Sequence, residues 1–245
     1  MSVAGRPASA AARRILFSTA SSLLVKVCVL VYAAVMQDQD ATLSDIARRL
    51  NQDYGGPQDM PVAFFITDAT AVPDPAAVIA ALPRDAAVIF RDYDHPHRAD
   101  LGYHLRQLCR DKGVRFLVAG DRDLAETLMA DGVHLPEVAM ARAGDLRRQC
   151  PDYLITAACH DSAAAARAGG LPIDALLAAP TFPTQSHPET FKAPQTTLGV
   201  AGLKPLVAAS SLPVYALGGI TKKNARQLRG TGVAGIAAIR GFGVA

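Results

Sequence analysis

The chain has 245 residues, of which 50% are hydrophobic and 19% charged, and its formal net charge is +3. A chain of this length and apolarity can bury a core of its own, which excludes an extended disordered protein. Its four cysteines include no CxxC pair, which is typical of reduced thiols in a cytoplasmic protein and argues against a secreted scaffold or a zinc module. The basic residues form no runs and there is no tryptophan, so we do not expect a nucleic-acid partner.

An apolar segment over residues 15–35 follows three arginines near the amino terminus. It can be a signal or membrane anchor, an extra helix packed on the domain, or an upstream extension from a start codon assigned too early. Lys26 argues against a membrane span, because a lysine at a helix centre costs about 2.5–3.5 kcal/mol on insertion. We therefore expect a cytoplasmic protein. A short amphipathic helix over residues 42–51 comes next, and together these features make residues 1–59 an N-terminal extension.

From residue 60 to residue 245, short aliphatic or β-branched runs alternate with amphipathic stretches. This alternation is typical of successive βα units around a parallel sheet. Eight units in this length predict a compact α/β fold of the (β/α)8 TIM-barrel type, with a doubly wound open sheet as the alternative. The predicted strands are Val62–Thr67, Ala87–Arg91, Arg115–Ala119, Gly132–Leu135, Tyr153–Ala158, Ala175–Ala178, Val214–Leu217 and Gly235–Ile239. The predicted helices are Pro75–Leu82, Ala99–Lys112, Arg122–Ala130, Ala139–Gln149, Ser162–Ala168, Ala201–Ala209 and Lys222–Arg229.

The last helix of the predicted barrel is truncated, because the sequence stops directly after the eighth strand. Each helix of such a barrel covers part of the sheet. We expect the helix at residues 42–51, or the apolar segment before it, to cover the surface that remains open.

Glycines follow the seventh predicted strand at Gly218 and Gly219, and the eighth strand ends at Ile239 and Arg240. Active sites of (β/α)8 barrels lie where the strands end, and the loops after strands seven and eight commonly hold a phosphate. Paired glycines let backbone N–H groups approach an anion, and an arginine adds positive charge. These four residues are the candidate phosphate site, unless the glycines merely form a tight turn.

A long loop over residues 179–194 follows the sixth predicted strand. Loops of this length in a compact domain are usually functional or disordered. The hydroxyls of Thr181, Thr184 and Ser186, together with His187, are candidates for holding a phosphate or pyrophosphate. The alternative is a mobile, proline-rich surface loop.

His160 follows the fifth predicted strand, where its side chain can reach the mouth of the barrel. Histidine is the usual proton shuttle at neutral pH, which makes His160 the candidate catalytic residue. A solvated histidine at a helix start is the alternative interpretation.

Four motifs, in order, resemble the thiamine phosphate synthase and TenI (thiazole tautomerase) family over about residues 60–240. The resemblance implies a barrel of thiamine biosynthesis that binds a small phosphorylated thiazole. It also implies that the loops after strands seven and eight hold the phosphate. The motifs are DGVHL at residues 131–135, PTFPT at 180–184, ALGGI at 216–220 with Asn224, and GIAA at 235–238.

Two activities divide this family, and the resemblance implies different requirements for each. The synthase joins a pyrimidine pyrophosphate to thiazole phosphate and needs Mg²⁺ held by carboxylates. A tautomerase moves a proton on a thiazole carboxylate phosphate with a histidine and needs no cofactor. Of the synthase pattern Gln-x-Arg-x-Lys on strand two, only Arg91 remains here, and His187 stands where the loop lysine is expected.

This sequence also has fewer of the carboxylates that bind metal in the synthase. The synthase has Asn-Asp before an Asp-Leu-Ala motif, and here Asp121 is a substitute that does not align cleanly with that pair. Ala139 stands at the second metal carboxylate, although Glu137 is near. By contrast, His160 falls where TenI-type proteins carry their catalytic histidine.

These departures favour a tautomerase, with Arg91, His134 and the 181–187 loop shaping the substrate pocket. One alternative is a divergent synthase that binds Mg²⁺ through Asp121 and Glu137. Another is a catalytically silent barrel that binds a phosphorylated ligand. The sequence leaves open whether the protein forms a homo-oligomer.

Overall fold

Eight short parallel strands close into a barrel, in which each strand is hydrogen-bonded to the next and β8 pairs with β1. The structure is a computed structural model, and it describes residues 41–56 and 59–242. The closed sheet confirms the predicted (β/α)8 barrel over the open-sheet alternative. The strands are β1 Ala63–Ile66, β2 Ala86–Phe90, β3 Arg115–Ala119, β4 Gly132–Leu135, β5 Leu154–Cys159, β6 Ala175–Ala178, β7 Val214–Leu217 and β8 Gly235–Ala238.

Helices lie between the strands, with three departures from the predicted pattern. The predicted helix at residues 222–229 is only a 3₁₀ turn, Ala225–Leu228. The side chain of Asn224 accepts a hydrogen bond from the backbone N–H of Thr221 just before this turn, and Gly230, at φ +71°, ends the segment. The predicted helix at 139–149 is a 3₁₀ helix, Glu137–Arg142, followed by a short α-helix, and the 179–194 loop contains helices that the sequence did not predict. The α-helices are α1 Leu43–Tyr54, α2 Pro75–Ala81, α3 Arg98–Lys112, α4 Arg122–Thr127, α5 Ala143–Gln149, α6 Ser162–Ala168, α7 Glu189–Lys192 and α8 Gly199–Ala209, and a 3₁₀ turn covers Pro194–Thr196.

The barrel interior is filled by large apolar side chains from alternate strand positions, such as Phe64, Leu117 and Leu177. Tyr215 is the largest fully buried side chain, and its hydroxyl donates a hydrogen bond of 2.6 Å to the carbonyl oxygen of Pro61. Both faces of nearly every strand are buried, which explains why the strands read as continuous apolar runs. A filled interior leaves the loops at the strand ends as the place for a ligand.

Helix α1 packs against β8 and β1, where the barrel closes. Thr42 and Asp45 form a capping box at its start, and its apolar face is buried. Asn51 anchors its last turn by donating a hydrogen bond of 3.0 Å to the carbonyl oxygen of Ala234, directly before β8. The helix therefore covers the barrel where β8 meets β1, which is one of the two coverings that the sequence predicts.

The apolar segment at residues 15–35 lies outside the described residues. Among the helices of residues 41–56 and 59–242, none combines the length and apolarity that crossing a bilayer requires.

Ile46→Ala tests whether α1 is an integral part of the barrel. Ile46 is 3% exposed, so removing its side chain leaves a cavity and should lower the free energy of unfolding by about 2–5 kcal/mol. Gln52→Ala, on the exposed face of the same helix, should change it by less than about 0.5 kcal/mol. Urea unfolding measures both values, and equal small losses would contradict the packing described for α1.

Candidate active site

Two adjoining cavities open at the carboxyl ends of the strands. The glycine cavity, about 330 Å³, is lined by Gly218, Gly219, Ile239 and Arg240 and by residues of the loop after β6. The arginine cavity, about 600 Å³, is lined by the loops after β1 and β2. Gln185 and Arg240 line both cavities. The structure thus brings together the four residues that the sequence marks as a phosphate site.

The two glycines of the glycine cavity are required by the backbone. Gly218 has φ +96° and Gly219 has φ +64°, a region that other residues rarely adopt. A Cβ atom at residue 219 would lie 2.4 Å from the carbonyl oxygen of Pro183, so only glycine lets the loop after β6 approach this closely. Thr181 and Phe182 of that loop donate backbone hydrogen bonds to the carbonyl oxygens of Leu217 and Gly218, at 2.7 and 3.0 Å.

Internal hydrogen bonds order the loop after β6 and employ the predicted substrate-binding hydroxyl of Thr181. Thr181 is fully buried, and its hydroxyl donates to the carbonyl oxygen of Ala178 at 3.1 Å. The hydroxyl of Thr190 accepts from the backbone N–H of Thr184 at 2.9 Å and donates to the carbonyl oxygen of His187 at 2.6 Å. Thr184 lines the glycine cavity, whereas Thr181 supports the loop from below.

Ser186 and His187 lie at different places in the same loop. The hydroxyl oxygen of Ser186 is buried without a hydrogen-bond partner among the described residues, and Ser186 lines the arginine cavity. The imidazole of His187 is exposed and lies 3.2 Å from the carboxylate of Glu189, outside the lining of both cavities. A ligand in the arginine cavity is therefore able to satisfy Ser186 but not to reach His187 without a change in the loop.

Arg91 lines the arginine cavity among several carboxylates. Its guanidinium lies 2.5 Å from a carboxylate oxygen of Asp68. The neighbouring carboxylate of Asp92 accepts hydrogen bonds from the hydroxyl of Thr67 and from the backbone N–H of Ala69. Sequence reasoning missed Asp68 and Asp92, because no local pattern reveals which carboxylates meet Arg91 at the mouth.

His134 lies in β4, between Ala119 of β3 and Thr156 of β5. Its ring Nδ1 is 2.9 Å from the hydroxyl oxygen of Thr156, and only 8% of the residue is exposed. Burial, assisted by the positive charge of Arg91, lowers the pKa of His134 to about 4. His134 is therefore neutral at neutral pH and is not part of the lining of either cavity.

His160 lies at the rim of the barrel, between the ends of β5 and β6. Its ring Nδ1 is 2.7 Å from the carbonyl oxygen of Ala179, and its backbone N–H donates to the carboxylate of Glu137 at 2.8 Å. A carbonyl oxygen only accepts, so we assign the proton to Nδ1, which leaves Nε2 as the basic atom. His160 lines neither cavity, but Pro180, next to its partner Ala179, touches Gly218 of the glycine cavity.

The two candidate metal ligands, Asp121 and Glu137, are engaged by other groups. Asp121 lies 3.0 Å from the guanidinium of Arg98 and accepts from the backbone N–H of Leu124, which caps α4. Glu137 accepts from His160 and lies 3.7 Å from Arg167. Within residues 41–56 and 59–242, no three His, Cys, Asp or Glu side chains are arranged to hold a metal ion. To bind Mg²⁺, Asp121 and Glu137 would therefore have to exchange their present partners for the metal.

The fold and the cavities at its strand ends define a (β/α)8 barrel with a candidate ligand site at the face where such barrels carry their active sites. Residues 63–242 match the thiamine monophosphate synthase family, and the chain belongs to this family. This confirms the resemblance that the sequence motifs indicate.

Relatives named as synthases cover most of the barrel. The chain is 34% identical over 180 residues to the thiamine-phosphate synthase of Pyrococcus furiosus, covering 72% of this chain and 84% of that protein. It is 32% identical over 192 residues to that of Archaeoglobus fulgidus, covering 77% and 88%. Among solved structures, the thiamine phosphate pyrophosphorylase from Pyrococcus furiosus superimposes with a TM-score of 0.59 at 31% identity, covering 73% of this chain and 85% of that one.

His134 makes the stability of the protein depend on pH. A histidine whose pKa falls from 6.5 to about 4 on folding binds fewer protons than in the unfolded chain, so stability is lost as the pH falls below 6.5. Between pH 7 and pH 4.5, the wild type should lose about 2 kcal/mol more free energy of unfolding than His134→Gln. Denaturant unfolding at the two pH values measures this difference. His104→Gln, at an exposed histidine of α3, should behave like the wild type, and an equal loss in all three proteins would contradict the assignment.

Proposed function

We propose that the protein binds a phosphorylated thiazole and catalyses proton transfer of the thiazole tautomerase type, with His160 as the proton shuttle. The observation that supports this choice is the hydrogen bond between Nδ1 of His160 and the carbonyl oxygen of Ala179. The carbonyl oxygen of Ala179 holds Nδ1 of His160, so Nε2 is the atom that accepts the proton. The carboxylates that a synthase would use for Mg²⁺ are engaged in ion pairs and backbone hydrogen bonds.

The glycine cavity is the proposed site of the phosphate. Gly218 and Gly219 leave no side chain between the backbone and an anion, and Arg240 brings a guanidinium to the same cavity. The phosphate would then lie beside Pro180, one residue from the carbonyl that holds His160. In this proposal, the thiazole ring of a bound substrate would lie between the glycine cavity and the rim.

The reaction requires one group that takes a proton from one carbon of the ring system and returns it to another. The substrate gains and loses no electrons, and its proton is returned to it, so the proposed step requires neither a redox cofactor nor a metal ion. Nε2 of His160 performs both steps in turn. Arg91, Ser186 and Thr184 are the proposed substrate contacts, since they line the two cavities, and His134, Thr181 and His187 would act only by supporting the pocket walls.

A second candidate function is that of a thiamine phosphate synthase, which the names of the relatives favour. In that case Mg²⁺ would bind between Asp121 and Glu137. Both carboxylates would first have to leave their present partners, Arg98 and the backbone of His160. A catalytically silent barrel that binds the phosphorylated ligand is the remaining alternative. The same proposal locates the protein in the cytoplasm, because small phosphorylated metabolites are found in that compartment.

His160→Ala tests the proposed reaction. The wild type should isomerise thiazole carboxylate phosphate in the presence of EDTA, and the substitution should lower the rate at least about 100-fold, because the proton shuttle is lost. His104→Ala, at an exposed histidine of α3, is the matched control and should keep the wild-type rate. The rate is followed by NMR of the substrate.

The same mixtures, supplied with pyrimidine pyrophosphate and Mg²⁺, separate the alternatives. Thiamine phosphate formed only when Mg²⁺ is present would contradict the tautomerase and establish the synthase. Saturable binding of the thiazole carboxylate phosphate without either reaction would establish the silent barrel.

Gly219→Ala tests the proposed phosphate site independently of the reaction. The new methyl group collides with the carbonyl oxygen of Pro183, so inorganic phosphate should bind at least about tenfold more weakly. Gly230→Ala is the control, because Gly230 also has a positive φ of 71° but no atom lies within 4 Å of the added Cβ. Isothermal titration of both folded variants measures the affinity, and equal affinities would place the phosphate elsewhere.

A further inference from the structure

Arg98, at the start of α3, lies between two aromatic rings beside the mouth of the barrel. Its guanidinium carbon is 5.5 Å from the ring centroid of Phe90 and 5.3 Å from that of Tyr93. It also donates to the carboxylate of Asp121 and to the carbonyl oxygen of Ala119, both at 3.0 Å. Its side chain is only 16% exposed. Rings on both sides and two acceptors fix this cation in place.

Tyr93 connects this cation to the arginine cavity, since its ring lines that cavity. The ring also covers Gly120, which has φ +70°. A Cβ atom at residue 120 would lie 3.3 Å from a ring carbon of Tyr93. The aromatic ring therefore occupies the space above Gly120, directly before Asp121. Phe90, Arg98 and Tyr93 together close the corner between β2 and β3, and we call them the cation wall.

We propose that the cation wall occupies the place of a divalent cation and prevents the protein from binding a metal-bound pyrophosphate at this corner. This inference rests on the proposed function and deepens it, because it makes the site specific for a monophosphate used without metal. Arg98 acts as a specificity-determining residue through Asp121. The guanidinium and a divalent cation compete for the same carboxylate oxygen, and two cations cannot share it closely.

The charges of the arginine cavity support the same specificity. Its lining contains the carboxylates of Asp68, Asp92 and Asp94 against the guanidinium groups of Arg91 and Arg240. Arg91 is already paired with Asp68. A pyrophosphate in this cavity would meet more negative than positive charge, and without a metal ion nothing would offset the repulsion.

Titration of inorganic pyrophosphate, with EDTA or with excess Mg²⁺, tests the cation wall. For the wild type, we expect the two dissociation constants to agree within twofold, and Asp121→Asn should not change this agreement. Arg98→Met removes the charge, keeps an apolar side chain between the rings and releases Asp121. In this variant Mg²⁺ should strengthen pyrophosphate binding at least fivefold, and Arg98→Met combined with Asp121→Asn should lose the effect.

Arg122→Met is the matched control, because Arg122 lies next to Asp121 in sequence but pairs with Asp123 and Glu126. It should show no effect of Mg²⁺. Strengthening of at least fivefold in the wild type that Asp121→Asn abolishes would overturn the proposal, as would a folded Arg98→Met protein without any Mg²⁺ effect. Circular dichroism establishes folding, and should Arg98→Met fail to fold, Arg98→Gln replaces it with the same expectations. The readout is separate from the isomerase assay, so failure of the cation wall and failure of the proposed reaction are distinguishable.

Discussion

The hydrogen bonds that join β1 to β8 determine where this protein can hold a ligand. They close a parallel sheet, so all eight strands end on the same side and the loops that follow them surround one mouth. The interior below is filled with apolar side chains, including the fully buried Tyr215. The chemistry is thereby confined to the loops, and helix α1 covers the junction of β8 and β1.

At the mouth, three carboxylates are held by other groups of the protein. Asp68 pairs with Arg91, Asp121 pairs with Arg98, and Glu137 accepts from the backbone of His160. A removal of either partner from such partly buried pairs leaves an uncompensated charge, which favours keeping the pairs intact. A metal ion would have to compete with two guanidinium groups and a backbone N–H for these carboxylates. This is the physical basis for proposing a reaction without metal.

The elements of the barrel were predictable because strands buried on both faces read as apolar runs and the helices between them as amphipathic stretches. The glycine cavity was also predictable, since Gly218 and Gly219 follow β7 directly. The 3₁₀ turn at Ala225–Leu228 was not, because apolar spacing does not reveal that Asn224 and Gly230 shorten the segment.

The contacts of single side chains were the least predictable part of the site. Sequence position indicated that Arg91 and Arg240 lie at strand ends, and both line the arginine cavity, but it gave no sign that Asp68 pairs with Arg91. Arg98 carries no motif, and its role depends on Phe90 and Tyr93 meeting it from another part of the chain. Local patterns specify which loops meet, whereas pairing among their side chains is decided by tertiary packing.

The most direct test of the account is a crystal structure of the protein with thiazole carboxylate phosphate, grown with Mn²⁺, whose anomalous scattering locates the metal. The account predicts the phosphate in the glycine cavity beside Gly219, the thiazole ring between that cavity and His160, and Arg98 still paired with Asp121. A Mn²⁺ ion on Asp121, with Arg98 displaced from between its two rings, would contradict it.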